Sequence, residues 1–338
     1  MTSPPRALFR LGSFSVAAES PFPGLVLNDR VYAIHDLKPL QLELGVHLYG
    51  GSMLDVLERW KANLPALSRI ADALASRPSV SGVSLQRLRT HAPVTPRQIF
   101  QAGANYHKHV VDLIVDGSVA RDPSTNVERV RADAEEMMRK RAKDGKPYIF
   151  TGLASSLTGP HDPVVIPYDV SQADWELELA AVIGVPARRV ARNNALKHVA
   201  GYTIANDITA RERVGRPDLP QMGMDWIASK GSPTFLPVGP FITPAEFVAD
   251  PQSLRITLRL NGELMQDEST SDMIFSVARI IEFISQYVQL LPGDLILTGS
   301  PSGNGTHYNR FLRPGDVVEG EVTGLGKIRN ACVHEPEG

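Results

Sequence analysis

A single cysteine, Cys332, stands among 338 residues. That scarcity rules out an intrachain disulfide, CxxC zinc sites and paired-thiol redox chemistry. The chain also lacks any apolar stretch approaching the roughly 18 residues of a membrane-spanning helix. Its opening, MTSPPRALFRLGSFSV, has no apolar run of the kind a signal peptide needs, so a cytoplasmic location is expected. No charge of one sign dominates, since 35 Lys and Arg face 37 Asp and Glu. A formal net charge of −2 gives no electrostatic reason to bind nucleic acid or an anionic membrane. Neither a fixed-period repeat nor a low-complexity tract is present.

What is there reads as a globular chain of about two domains. Apolar residues at 43% and charged residues at 21% are enough to bury a core. The 26 prolines and 27 glycines favour many short strands joined by turns over a helical bundle. Residues 1–95 form one unit, with short apolar runs followed by a helix predicted over 52–76. Met53, Leu57, Trp60, Leu64, Leu67, Ile70 and Leu74 recur at steps of three and four and give that helix one core-facing stripe. A proline-punctuated connector, HAPVTPRQIF, leads into a polar insertion at 113–146 with a thin apolar face. The insertion reads either as a solvated surface helix or as a mobile flap over a site. From Phe150 onward the pattern is mostly strand: 175–185, 199–209 and LRITLRLNGEL with its Asn-Gly turn at 261–262. One helix interrupts, predicted over 272–290 and stopped by Pro292-Gly293.

The most informative stretch is DWELELAAVIG at 174–184. On a strand, residues two apart share a face, so Glu176 and Glu178 point together, about 7 Å apart. Trp175, Leu177, Leu179 and Ile183 line the other face. Apolar residues on both faces mean a buried strand, where two like charges are costly unless a cation or a proton neutralises one. GYTIANDI at 201–208 repeats the anomaly with Asp207, since Asp is depleted inside strands. Three oxygen ligands with no soft partner suit a hard divalent cation such as Mg²⁺, Mn²⁺ or Ca²⁺. The plain alternative is that the glutamates face solvent on a half-exposed strand.

These residues fall in a series of ordered segments that resembles the fumarylacetoacetate hydrolase superfamily. The segments are GANYHKH at 103–109, SSLTGP at 155–160, DWELELAAVIG, GYTIANDITARE at 201–212, PVGPFI at 237–242, NGELMQDESTSDMIF at 261–275, LLPGDLILTGSPSGNG at 290–305 and FLRPGD at 311–316. They occupy 96–338, with 1–95 as a variable N-terminal region. The resemblance implies an α+β, β-rich fold, a mixed β-sandwich roll with a smaller N-terminal α/β region. Its metal carboxylates fall on Glu176, Glu178 and Asp207, with Mg²⁺ first and Mn²⁺ or Ca²⁺ as alternatives. Its catalytic histidine and acidic partner fall on His109 and Asp112, at i, i+3 spacing, and its active-site lysine on Lys230. A carboxylate beside an imidazole orients it and raises its basicity, as a water-activating base requires. Thr298 and Gly299 begin the family's Thr-Gly-x-Pro turn and would hold a substrate carboxylate. His107 reads as an exposed histidine. The chain departs from the family at Gly152, where many members carry lysine, at Pro233, where many carry aspartate, and in the length of the 113–146 insertion.

The resemblance implies a metal-dependent hydrolase that cleaves a C–C bond in a 1,3-dicarbonyl acid, such as an acylpyruvate. The alternative is a lyase or isomerase on the same scaffold: an oxaloacetate-type decarboxylase, a sugar-acid hydratase or dehydratase, or a tautomerase. A small keto acid is the expected partner, and the family's habit implies a homodimer with a lid-like insertion.

Overall fold

The computed structural model describes residues 6–77 and 80–336. Its spine is the buried strand pair Leu177–Ile183 and Val199–Asn206, antiparallel with Glu178 opposite Ala205. On one side the sheet continues through Leu295–Leu297 and Ile99–Gly103 to an edge at Tyr148–Thr151. On the other it passes through Leu236–Pro244 to Arg10–Ser15, Phe22–Leu27, Arg30–Ala33 and Val83–Ser84. The N-terminal strands therefore extend the large sheet across the boundary placed at residue 95.

Alternation along Leu177–Ile183 divides the interior into two cores. Leu177, Leu179, Ala181 and Ile183 face a second sheet of five strands and the helix Val277–Tyr287. Ala180 and Val182 face the N-terminal helices. Burying both faces explains why this strand is almost wholly apolar, and it isolates the few charged groups there from water.

The helix predicted over 52–76 is two helices, Met53–Glu58 and Trp60–Ser76, broken at Arg59. The Ser52–Asp55 capping box starts the first, and the predicted stripe is the buried face. The helix expected over 272–290 is shorter, Val277–Tyr287, because Ser276 caps it after a separate turn at Thr270–Asp272. Among the described residues no helix is long and apolar enough to cross a membrane.

The 113–146 insertion is part of a helical hairpin, His107–Arg121 and Val127–Asp144. It is fastened more firmly than its thin apolar face suggests. Val110, Val111, Ala134 and Met138 join the main core. Arg141 donates to the Ala104 carbonyl, and Arg279 donates to the carbonyls of Ala142 and Gly145. Both guanidinium groups also lie over the Phe275 ring, at 5.3 and 5.1 Å from its centroid.

Candidate metal centre and active site

Glu178 lies on the regular strand, whereas Glu176 sits one residue before it, in an irregular link after Ala173–Asp174. Asp207 is just past the end of Val199–Asn206, not inside it, and its N–H donates to the Glu176 carbonyl at 2.9 Å. The Asn206 side chain accepts the Glu176 N–H at 2.9 Å. These crossed contacts pin the two chain segments together where both leave the sheet. One carboxylate oxygen from each of Glu176, Glu178 and Asp207 then falls within 4.8 Å of the others.

Four neighbours organise the cluster. Lys230, at the end of the helix Trp226–Lys230, donates from Nζ to Glu176 at 2.7 Å and to Asp207 and Thr209 at 2.6 Å each. Arg211 donates to Glu176 at 2.6 Å and to the buried Asp174 at 2.8 Å. Gln101 donates from Nε2 to Asp207 at 2.6 Å, and the Gly299 N–H donates to Glu178 at 2.6 Å. Gly299 has φ +92°, and a Cβ there would meet the Asn105 Cβ at 2.9 Å and the Ala102 carbonyl oxygen at 3.0 Å. Glycine is what lets this N–H approach the carboxylate.

Electrostatics divide the three acids. Burial would raise the Glu176 pKa, but Lys230 and Arg211 outweigh it and the group lies below the usual carboxylate range. Burial pushes Glu178 well up, with Asp207 and Glu176 adding to it. Burial also raises Asp207, to about 6, against the pull of Lys230. Lys230 moves up as well, because Asp207 and Glu176 overcome the burial that would discharge it. The Glu178 carboxylate is thus buried, crowded by like charges and served by one backbone N–H. All-oxygen donors with excess negative charge fit a hard divalent cation.

A pH dependence follows. A group with a raised folded pKa contributes stability below its unfolded value and loses it as pH rises through the folded value. For Asp207 that window runs from about 4, its ordinary value, to about 6, and Glu178 acts in the same direction. Chelator-treated protein is therefore expected to melt at a lower temperature at pH 8 than at pH 5.5. Saturating Mn²⁺ is expected to raise the melting temperature more at pH 8. Equal shifts at both pH values would show that the carboxylates are not the cation's ligands.

The cluster opens into a cavity of about 190 Å³. His109 lines it, half-buried, and burial holds its pKa below the ordinary value despite the nearby Glu176. Asp112 does not meet His109. Its carboxylate accepts from Arg131 at 3.1 Å and from the Ser302 hydroxyl at 2.9 Å, and it borders a different hollow. Helical spacing sets the two on neighbouring turns, but the hairpin partner and the Ser302 loop capture the acid. Thr298 is fully buried and donates its hydroxyl to the Leu179 carbonyl at 2.8 Å, as the Gly299 N–H goes to Glu178. Ser300 is the residue of that turn that reaches the cavity. His107 is half-buried within electrostatic reach of Asp272 and does not line the site.

The sequence pattern did not point to Arg211, Gln101, Tyr148 or Phe150. Arg211 stands four residues after Asp207 in the quoted DITARE segment. Gln101 is a buried amide in an apolar strand, the same signal that exposed Asp207. Phe150 stacks on Trp226 with centroids 4.1 Å apart and planes 10° from parallel, and the Trp226 indole donates to the Tyr148 hydroxyl at 3.0 Å.

A buried carboxylate triad lining a cavity in a mixed α+β fold, with a lysine bridging two of the three, defines an enzyme with a divalent-cation site. The chain belongs to the fumarylacetoacetate hydrolase family: the profile described as Fumarylacetoacetate (FAA) hydrolase C-terminal matches residues 98–333. It is 35% identical over 286 residues to the mitochondrial oxaloacetate tautomerase FAHD2B of Bos taurus, covering 83% of this chain and 80% of the relative. It is 42% identical over 187 residues to 2,4-didehydro-3-deoxy-L-rhamnonate hydrolase of Sphingomonas sp. strain SKA58, covering 54% and 64%. Among solved structures it is similar to maleylpyruvate hydrolase from Sphingobium sp. SYK-6 in complex with manganese(II) and pyruvate. There the TM-score is 0.68 at 25% identity, covering 97% of this chain and all of the other.

Proposed function

We propose that this enzyme moves a proton at the carbon beside the 2-oxo group of a small oxo acid, interconverting its keto and enol forms. Glu176, Glu178 and Asp207 would hold Mg²⁺ or Mn²⁺. When bound, the cation supplies Lewis-acid polarisation of the 2-oxo group.

The observation that carries the reading is that the Asp112 carboxylate is hydrogen-bonded by Arg131 and Ser302 and not by His109. A histidine that lines the cavity with a lowered pKa is neutral near pH 7 and can accept a proton from carbon. Lys230, with its pKa raised, stays charged and donates to the oxygen that gains negative charge. One group poised to accept and one poised to give is the division of labour that enolisation needs. In the forward direction the C–H electron pair becomes the C=C bond, the C=O π pair moves onto the oxygen, and His109 takes the proton. Lys230 keeps its own proton and hydrogen-bonds the oxygen, which is protonated from solvent as His109 returns its proton to solvent. The exchange reverses for ketonisation. Ser300 and the remaining Arg211 N–H groups line the cavity and can hold the substrate carboxylate. The bovine relative's name, an oxaloacetate tautomerase, supports the same class of reaction.

Hydrolysis of a 1,3-dicarbonyl acid is the second reading, favoured by His109 lining the cavity and by the two relatives named hydrolases. It requires Asp112 to leave Arg131 and Ser302 for the imidazole.

Product analysis separates the two. With Mg²⁺ and a panel of 2-oxo acids, including oxaloacetate and an acylpyruvate, faster approach to the keto–enol equilibrium at unchanged mass is expected. Stoichiometric release of two acids, or of CO₂, without that acceleration would reject the isomerase reading.

A further inference from the structure

From the aromatic and aliphatic part of the cavity lining, we infer that the substrate is a 2-oxo acid whose far end is apolar or planar and carries no second carboxylate. The inference rests on the oxo-acid reading above and adds the identity of the tail. The cavity has two chemically distinct ends. Its head end holds the three carboxylates with Lys230 and Arg211, both within hydrogen-bonding distance of Glu176. Those cations are occupied where the substrate's own 2-oxo acid group must be neutralised. Among the described residues no other lysine or arginine lines the cavity. Two arginines of the neighbouring hairpin are committed elsewhere, Arg131 to Asp112 and Arg141 to the Ala104 carbonyl.

The other end is aromatic and aliphatic. The stacked Phe150 and Trp226 rings stand with their centroids 5.8 and 5.9 Å from Lys230 Nζ, next to the head group. The hydrogen bond from Trp226 to Tyr148 fixes the indole plane. Val214 completes the wall, and Leu113 and Met224 extend it to the mouth, where they are 44% and 56% exposed. Apolar surface left open at the mouth of a site is what an apolar ligand covers. A tail carboxylate there would lose water and find Lys230 and Arg211 already paired with Glu176. A flat tail gains stacking on the ring pair and burial on Met224. The oxaloacetate of the bovine relative's name has a carboxylate at that end, so the inference sets this chain's substrate apart from it.

The test measures affinity for the Mn²⁺-loaded protein by calorimetry, using oxalate, pyruvate, phenylpyruvate and oxaloacetate. Oxalate probes the head alone. Phenylpyruvate is expected to bind at least about tenfold more tightly than pyruvate and oxaloacetate. In Trp226→Ala that preference is expected to collapse, with oxalate affinity held within about threefold. Phe150→Leu provides the same comparison if the tryptophan variant does not fold. Oxaloacetate binding more tightly than phenylpyruvate would overturn the inference, as would equal losses for oxalate and phenylpyruvate in the variants. Failure of oxalate to bind the wild type would instead remove the oxo-acid reading, and this inference with it.

Discussion

Glu178→Gln will lower turnover by roughly 10³-fold or more, the scale of several kcal/mol of Lewis-acid stabilisation, and will raise the melting temperature of chelator-treated protein at pH 8. The two effects have one cause. Glu178 is buried, and both burial and its acidic neighbours oppose its charge. Glutamine keeps an oxygen that can accept the Gly299 N–H, which lies 2.6 Å from the carboxylate, and removes only the charge. Without a cation that charge is a liability, so its loss stabilises. With a cation it is a ligand, so its loss empties the site. Metal analysis after Mn²⁺ loading and calorimetry at pH 8 measure both effects. Full Mn²⁺ occupancy in the variant would remove Glu178 from the ligand set.

His109→Ala is expected to lose about 10²- to 10⁴-fold in rate, the range for a general acid–base group, with cation content and melting temperature unchanged. Asp112→Asn is expected to change the rate by less than about threefold, because Asp112 is held by Arg131 and Ser302 and not by the imidazole. The pair of variants separates the two reactions. Hydrolysis through a His109–Asp112 pair would make Asp112→Asn nearly as damaging as His109→Ala. The wild-type rate should fall only in acid, below the ordinary histidine range, because burial lowers the His109 pKa. Loss of rate on the alkaline side of that range would mean that His109 works charged.

The acids of the site were legible because charge inside an apolar strand is an anomaly with few resolutions. Glu176, Glu178 and Asp207 all carried that signal, and the ordered family segments added Lys230 and His109. Gln101 carried the same signal more weakly, since an amide costs less to bury than a carboxylate. Arg211 carried none: it lies just past the strands, and its partner Asp174 is 37 residues away in sequence. The aromatic wall was hidden for the same reason, since Tyr148 and Trp226 come from segments 78 residues apart. Helical spacing correctly put His109 and Asp112 on one helix, but it carries no information about competitors. Arg131 comes from the other hairpin helix and Ser302 from a loop far along the chain. The fastening of the hairpin by Arg141 and Arg279 is likewise long-range, so its polar face read as looser than it is.

Cation-dependent enolisation is tested most directly by proton exchange at carbon. Pyruvate and phenylpyruvate would be incubated with the enzyme and Mg²⁺ in D₂O, and the C3 protons followed by NMR. The expected result is loss of the C3 proton signals with the carbon skeleton intact, abolished by chelator and by His109→Ala and kept in Asp112→Asn. Exchange that survives chelation, or carbon–carbon cleavage of an acylpyruvate by an enzyme that exchanges no C3 proton, would contradict it.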